Sequence, residues 1–301
     1  MTKKKINILC FLSVCAMMMI CNFKTASAQE NLENFVIYDK ETGDKEKIDL
    51  SSYNEVRDFI SEPEIPEVSL SDSIAAPSAG IQSIIGNDDR QLVTNPTQYP
   101  YRTIARITVT YEDGMVAYGS GAMISSRLLA TAGHLLINNN GSLPQSILMQ
   151  FGRNGSSVYY ETSNYSSYIC REDYHGTNQP LEADYGFIVF ADDTVNNHTG
   201  HLGIVTAPSA SETLHTAGYP SDYGSYKMYE TSGNILSMTD DLLNHNLDTM
   251  SGQSGSPVYV INTTSGLPYL VAIHSSGYPT YNVARRLEAG LFYWLQNHGY
   301  I

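Results

Sequence analysis

The chain reads as an all-β protein, and three observations carry that reading. From Thr103 onward, short β-branched or apolar runs alternate with turns of Gly, Asn, Asp, Ser and Pro. Only one stretch, near the C-terminus, has helical spacing. Many short strands joined by small-residue turns build a sandwich or barrels. The strand candidates are 103–111, 115–125, 127–134, 146–151, 158–168, 185–191, 213–219, 227–238, 257–262 and 267–275. The helix candidate is 286–298, where Leu287, Leu291, Trp294 and Leu295 share a face and Gly299 can end it. It is expected to pack on the second half of the domain.

Two stretches precede that pattern. Residues 1–28 have the form of a secretory signal: Lys3, Lys4 and Lys5, then mostly apolar 6–20, then Ala26-Ser27-Ala28 as a small-residue cleavage site. The apolar run is short for a membrane span. Cys21 opens the alternative of a lipoprotein, against which stands the bulky Ile20 before it. Residues 29–82 carry 13 acidic and 4 basic residues and break up at Glu62-Pro63-Glu64-Ile65-Pro66-Glu67 and Ala75-Ala76-Pro77-Ser78-Ala79-Gly80. Such a stretch buries little apolar surface and is expected to be extended or disordered on its own. It reads either as a linker or as a propeptide. The domain proper is expected over 83–301.

Net charge is −14, made of +4 in 1–28, −9 in 29–82 and −9 in the remainder. A domain with Lys227 as its one lysine argues against nucleic acid or an anionic membrane as partner. Cys10, Cys15 and Cys21 leave with the signal, so Cys170 has no internal partner and reads as a small buried hydrophobe. The histidines show no metal-ligand spacing, and no cofactor or metal is expected.

Two distant motifs carry chemistry. Ala132-Gly133-His134 closes the run Leu128-Leu129-Ala130-Thr131-Ala132, which would fix an imidazole at a strand end. Gly252-Gln253-Ser254-Gly255-Ser256-Pro257 sets a serine among glycines, where backbone amides can turn toward one point. Asp184 stands before the buried-strand pattern Tyr185-Gly186-Phe187-Ile188-Val189-Phe190. Singly, these are a strand-to-loop turn, a tight turn and a strand cap. Together they supply what a serine hydroxyl needs: a base, an orienting carboxylate and donors for an oxyanion. His134, Asp184 and Ser254 stand in one of the known chain orders of that triad. The N–H groups of Gly252 and Ser254 are the candidate oxyanion hole.

At these residues the chain resembles the bacterial glutamyl endopeptidases, chymotrypsin-type serine proteases of the staphylococcal V8 and Bacillus kind. The resemblance rests on Ser83-Ile84-Ile85-Gly86-Asn87-Asp88-Asp89-Arg90 with Tyr99-Pro100-Tyr101-Arg102, on the His134, Asp184 and Ser254 motifs with Asp248-Thr249, and on Val271-Ala272-Ile273-His274-Ser275-Ser276-Gly277. It spans Ser83 to the C-terminus. It implies two antiparallel six-stranded β-barrels with a C-terminal helix. His134 and Asp184 would come from the first barrel and Ser254 from the second. It also implies a secreted zymogen whose 29–82 propeptide is removed by an activating protease, and a monomer acting on protein or peptide substrates. Leu135 stands where Bacillus relatives carry a cysteine.

Two specificities remain open. Asp248, six residues before Ser254, is an acid at the spacing that selects Lys or Arg in trypsin-like enzymes. Thr249 and His274 match the glutamyl endopeptidase pocket, with the amine of a new Ser83 terminus helping to hold a Glu side chain and, less well, Asp. Residues Ser275, Ser276 and Gly277 would pair with the substrate backbone. A non-catalytic exported binding protein is the reading from another class.

Overall fold

The computed structural model describes residues 34–66, 82–175 and 178–301. The signal segment 1–28 and the Pro/Ala-rich stretch 75–80 lie outside the described residues.

Strand-rich sequence after Thr103, joined by Phe35–Asp39, Lys45–Ile48, Ile60–Ser61 and Gln91–Leu92 from before it, becomes two nine-stranded sheets. In the first, Ile104–Tyr111 pairs with Val116–Met123 and with Pro144–Phe151, and Leu128–Thr131, Gly186–Val189 and Ser167–Arg171 follow in antiparallel order. Alternation sets one face inward, so Ile107, Val109, Met123, Leu129, Ile147, Met149, Phe151, Cys170 and Ile188 share one core. Cys170 is a free, buried thiol whose pKa burial pushes up, which makes it inert.

The second sheet closes on itself. Pro257–Ile261, Thr213–Gly218, Tyr229–Met238, Leu242–His245, Asn282–Arg286 and Pro268–Gly277 form a ring of six strands, the last pairing back to the first. The sequence expectation of two closed barrels is therefore met once. The first set of six strands curls around its core without closing. Its open edge, Ser167–Arg171, is capped by Phe35–Asp39 and then Lys45–Ile48.

That capping strand corrects the expectation for 29–82. Within 34–66, Phe35, Val36, Ile37, Tyr38, Ile48, Leu50 and Phe59 are buried. Val36 and Tyr38 join the first core, and Tyr38 stacks on Tyr168 at 4.8 Å. Phe35, Ile37 and Phe59 join a core with Phe187, Ile273 and the C-terminal helix. The segment is too polar to build a core of its own, but its few apolar side chains complete one supplied by the rest of the chain. Strand addition satisfies its backbone in the same step.

Other boundaries shift for local reasons. The 158–168 run breaks into Tyr160–Thr162 and Ser167–Arg171, where the Thr162 hydroxyl accepts the Asn164 N–H and turns the chain. The 286–298 helix begins later, at Ala289, because Asn282–Arg286 is a barrel strand. Its face is as read: Leu291, Trp294 and Leu295 are buried, and Gly299, at φ +74°, ends it. Strands Gly203–Val205 and Leu242–His245 and the short helix Thr194–Thr199 lack a legible pattern in the sequence.

Phe59 offers the cleanest test of the segment's role. It stacks on Phe292 at 5.6 Å and meets Tyr293 edge-on at 5.1 Å. Phe59→Ala in the uncut chain is expected to cost about 3–5 kcal/mol. Urea unfolding measures this, and a loss below ~1 kcal/mol would show that 34–66 contributes nothing to the core.

Candidate active site

His134 follows the strand Leu128–Thr131 in a single 3-10 turn, Gly133–Leu135. Gly133 packs tightly there. A Cβ on it would lie 3.0 Å from Tyr185 N and 3.2 Å from Ala183 O. That close approach delivers the histidine to Asp184. The Asp184 carboxylate accepts the His134 backbone N–H at 2.9 Å, and His134 Nδ1 lies 3.0 and 2.9 Å from its two oxygens. Ser275 Oγ donates to Asp184 Oδ2 from the closed barrel, and burial together with the Asp184 charge raises the pKa of Tyr174.

These contacts set the protonation states. Burial alone would raise Asp184, but the His134 charge and the donors hold it at about 2. Burial would likewise depress the His134 imidazolium. The Asp184 charge and hydrogen bond outweigh that and raise its pKa above the ordinary value. The imidazole remains 28% exposed, which leaves its far edge open to a substrate.

Ser254 reaches this place by backbone packing. Its carbonyl accepts the Ser120 N–H at 2.8 Å. Gly255, at φ +83°, donates to His274 O at 2.8 Å. A Cβ on Gly255 would sit 2.2 Å from Ser120 O and 2.8 Å from Ala132 N, so the serine loop is pressed against the chain just before His134. The Ser254 side chain is half-buried and makes no hydrogen bond to the imidazole among the described residues. Gln253 N turns inward to Met250 O. The Gly252 and Ser254 amides donate to no acceptor among the described residues.

The remaining sequence candidates divide sharply. Asp248 is not free at a pocket base: its two oxygens accept Ile85 N at 2.7 Å and Asp89 N at 2.8 Å. Arg90 completes that clasp through Asp88 and Asp222. Thr249 pairs in register with Ser83, so the backbone of the sequence-predicted mature terminus runs beside it. Thr249 Oγ1 and His274 Nδ1 are both buried with no hydrogen-bond partner among the described residues. Burial, reinforced by the His134 charge, lowers His274 to about 4. It is therefore neutral at pH 7 in the free protein. Ser275 is committed to Asp184 through its hydroxyl, while Ser276 and Gly277 continue the strand toward the surface.

Sequence reasoning missed two neighbours of these groups. His245 lies under His274, ring centroids 5.6 Å apart, and burial keeps it neutral as well. The alternation Leu243-Asn244-His245 would have turned it inward once that strand was recognised. Tyr174, whose pKa burial and the Asp184 charge raise, has no local signal.

No family model matches the chain. It is 32% identical over 226 residues to the glutamyl endopeptidase of Bacillus licheniformis, covering 72% of this chain and 69% of that one. It is 29% identical over 220 residues to a Bacillus subtilis protein named extracellular metalloprotease, covering 70% and 69%. That name does not match the chemistry of the residues here, since among the described residues no three His, Cys, Asp or Glu side chains converge as metal ligands. The solved structure of a Glu endopeptidase in complex with MPD superposes with a TM-score of 0.59 at 22% identity, over 71% of this chain and 98% of its own. That likeness establishes the fold.

The balance at His134 is measurable. Its NMR titration midpoint is expected above the ordinary 6.5, because the neighbouring carboxylate favours the proton. In Asp184→Asn the charge is gone and burial remains, so the midpoint falls below 6.5. A midpoint unmoved by that substitution contradicts the account.

Proposed function

The chain belongs to the glutamyl endopeptidase family of chymotrypsin-fold serine endopeptidases, and we propose that it cleaves after Glu, with Asp weaker, through His134, Asp184 and Ser254. Ser254 Oγ attacks the scissile carbonyl carbon while His134 Nε2 takes its proton. The tetrahedral oxyanion is held by the N–H groups of Gly252 and Ser254. The C–N bond breaks as His134 returns the proton to the leaving amine. Water then repeats the sequence to free the acid. Asp184 keeps Nδ1 protonated and balances the imidazolium.

The observation that carries the Glu preference is the pairing of two buried, unsatisfied groups, Thr249 Oγ1 and His274 Nδ1, with an Asp248 already occupied by two amides. Buried polar atoms without partners point to a ligand that supplies them. A lysine or arginine would find no free carboxylate at Asp248. Because His274 is neutral, full charge for the bound carboxylate must come from elsewhere. The Ser83 backbone beside Thr249 supports an α-amine in that role once residues 29–82 are cut away. The signal pattern of 1–28 supports export before that cut. Among the described residues no helix is long and apolar enough to cross a membrane.

Ser254→Ala is expected to lower turnover roughly 10⁴–10⁶-fold, and a fluorophosphonate should label wild type but not this variant. Near-normal activity in Ser254→Ala would sink the assignment, and unlabelled wild type would favour a binding protein. His274→Ala should reduce kcat/KM on Glu peptides far more than on others. Cleavage after Lys or Arg, abolished by Asp248→Ser, would establish the trypsin-like alternative instead.

The amine has its own signature. Its unperturbed pKa is about 7.7–8.0, raised by a bound carboxylate. The Glu-over-Gln preference of a chain starting at Ser83 should therefore fade as pH rises through and above that range. Chains extended before Ser83 should stay weak and lack the fade. Equal activity with and without the extension, with terminal sequencing as the control, would remove the amine from the mechanism.

A further inference from the structure

Four side chains beside the serine loop form a cluster that the proposed mechanism does not use. Arg106 Cζ lies 4.6 Å from the ring centroid of Tyr118 and 5.3 Å from that of Tyr226. Arg153 Cζ lies 4.6 Å from the Tyr226 centroid. Tyr118 and Tyr226 are 51% and 49% exposed, while Arg106 is only 5% exposed. Two tyrosine faces thus cover two adjacent guanidinium groups at the surface.

Neither cation meets a carboxylate among the described residues. Arg106 Nη1 donates to Thr108 Oγ1 at 2.6 Å and to Gln150 Oε1 at 3.4 Å. Arg153 donates to Gly155 O at 3.1 Å and also to Gln150 Oε1. The Gln150 amide in turn donates to Glu161, so the nearest acid stands one side chain away. Arg106 Nε is buried without a partner. By contrast Arg90, Arg171 and Arg285 each hold a carboxylate. In a chain of net charge −14, leaving two neighbouring cations without an acid is costly, and Arg106 is depressed by burial and by Arg153.

The cluster is attached to one flank of Ser254. Tyr118 precedes Gly119, where a Cβ would lie 3.0 Å from the Ser254 carbonyl oxygen. Arg106 pairs in register with Ser120, whose N–H holds that same oxygen and whose hydroxyl donates to Gly252 O at 2.9 Å. On the other side, the Tyr219 hydroxyl accepts Arg153 N at 2.8 Å, and Tyr219 O lies 2.6 Å from where a Cβ on Gly252 would be. The opposite flank of the serine loop is the 274–277 strand, through Gly255 N to His274 O. An acyl segment laid along that strand sends its leaving segment across Gly119 toward Tyr118.

We propose that Arg106 and Arg153, framed by Tyr118 and Tyr226, form a subsite that binds a carboxylate on the leaving-group side of the substrate. The inference rests on Ser254 being the nucleophile. Arg153, half-buried and oriented by its hydrogen bonds to Gly155 and Gln150, has its remaining N–H edge for a carboxylate, and the buried Arg106 behind it adds positive charge. That carboxylate is an Asp or Glu side chain shortly after the cut, or the free C-terminus of a short leaving peptide. The enzyme then favours acidic stretches on both sides of the bond through two separate local sites.

The test uses peptides identical through the Glu before the cut. Leaving segments carry Glu, Gln or Lys, each with a free or an amidated C-terminus. Wild type is expected to prefer Glu over Gln, or free acid over amide, on the order of tenfold in kcat/KM, with Lys poorest. The two arms identify which carboxylate is read. In Arg106→Gln and Arg153→Gln the ratio should fall toward one, and in Arg106→Lys it should be partly kept. Because both substrates are compared within one preparation, a poorly folding variant still reports a valid ratio. Equal rates on all leaving segments in wild type, or a ratio unmoved in both glutamine variants, would overturn the subsite. Absence of any cleavage would instead fail the Ser254 reading, and the subsite with it.

Discussion

Asp184 is withdrawn from water, where an ionised carboxylate is costly, and three donors answer that cost. Two come from His134 and one from Ser275. The last is decisive for the architecture, because His134 and Asp184 belong to the first sheet and Ser275 to the closed barrel. The same strand that supplies Ser275 supplies His274 one residue earlier, and His274 O holds Gly255 N beside the nucleophile. One buried charge therefore sets the imidazole, fixes its tautomer and registers the two halves of the domain. Removing any single donor leaves the charge underpaid by hydrogen bonds, so the effects at these positions are coupled rather than additive.

Asp248 repeats that logic on a smaller scale. Its position invites comparison with a cation-binding pocket base, yet both of its oxygens are taken by backbone amides of Ile85 and Asp89. A carboxylate that organises backbone is not available to a substrate. Its product is positional: the segment after Ser83 is tied down, and Ser83 is left paired with Thr249 while the chain before it is still attached. Under the proposed cut before Ser83, an amide paired in register with Thr249 would become an ammonium.

The strands and the His134–Asp184 pair were legible because their signals are local. Apolar alternation and turn residues marked ten strand runs, and glycine-flanked Ser254 and strand-ending His134 declare their backbone needs in the residues around them. What the sequence hid depends on partners far away in the chain. His245 and Leu242–His245 lie in a mixed run whose inward face is defined only by the closed ring. Tyr174 meets the Asp184 charge from a loop. Asp248 carries the same residue type whether it binds a cation or two amides, so spacing alone could not choose. Residues 34–66 misled for the opposite reason. Their composition is that of a chain that cannot fold alone, yet its apolar side chains are buried in cores shared with the rest of the chain.

Net charge is a poor guide to what such a protein can bind. At physiological salt, charges beyond about 8 Å are largely screened, so a total of −14 does little to repel an acidic peptide already in the cleft. The local inventory decides. His274 is neutral, Thr249 offers a hydroxyl, and the strands Phe35–Asp39 and Lys45–Ile48 lie along the edge of the first sheet, at Ser167–Arg171, on the far side of that sheet's strand order from the Tyr118 strand. Two positive features remain near Ser254: an amine that exists only after processing, and a guanidinium pair that exists before it. If both act as argued, the first makes acid recognition before the cut conditional on maturation. The second leaves recognition after the cut permanently built in.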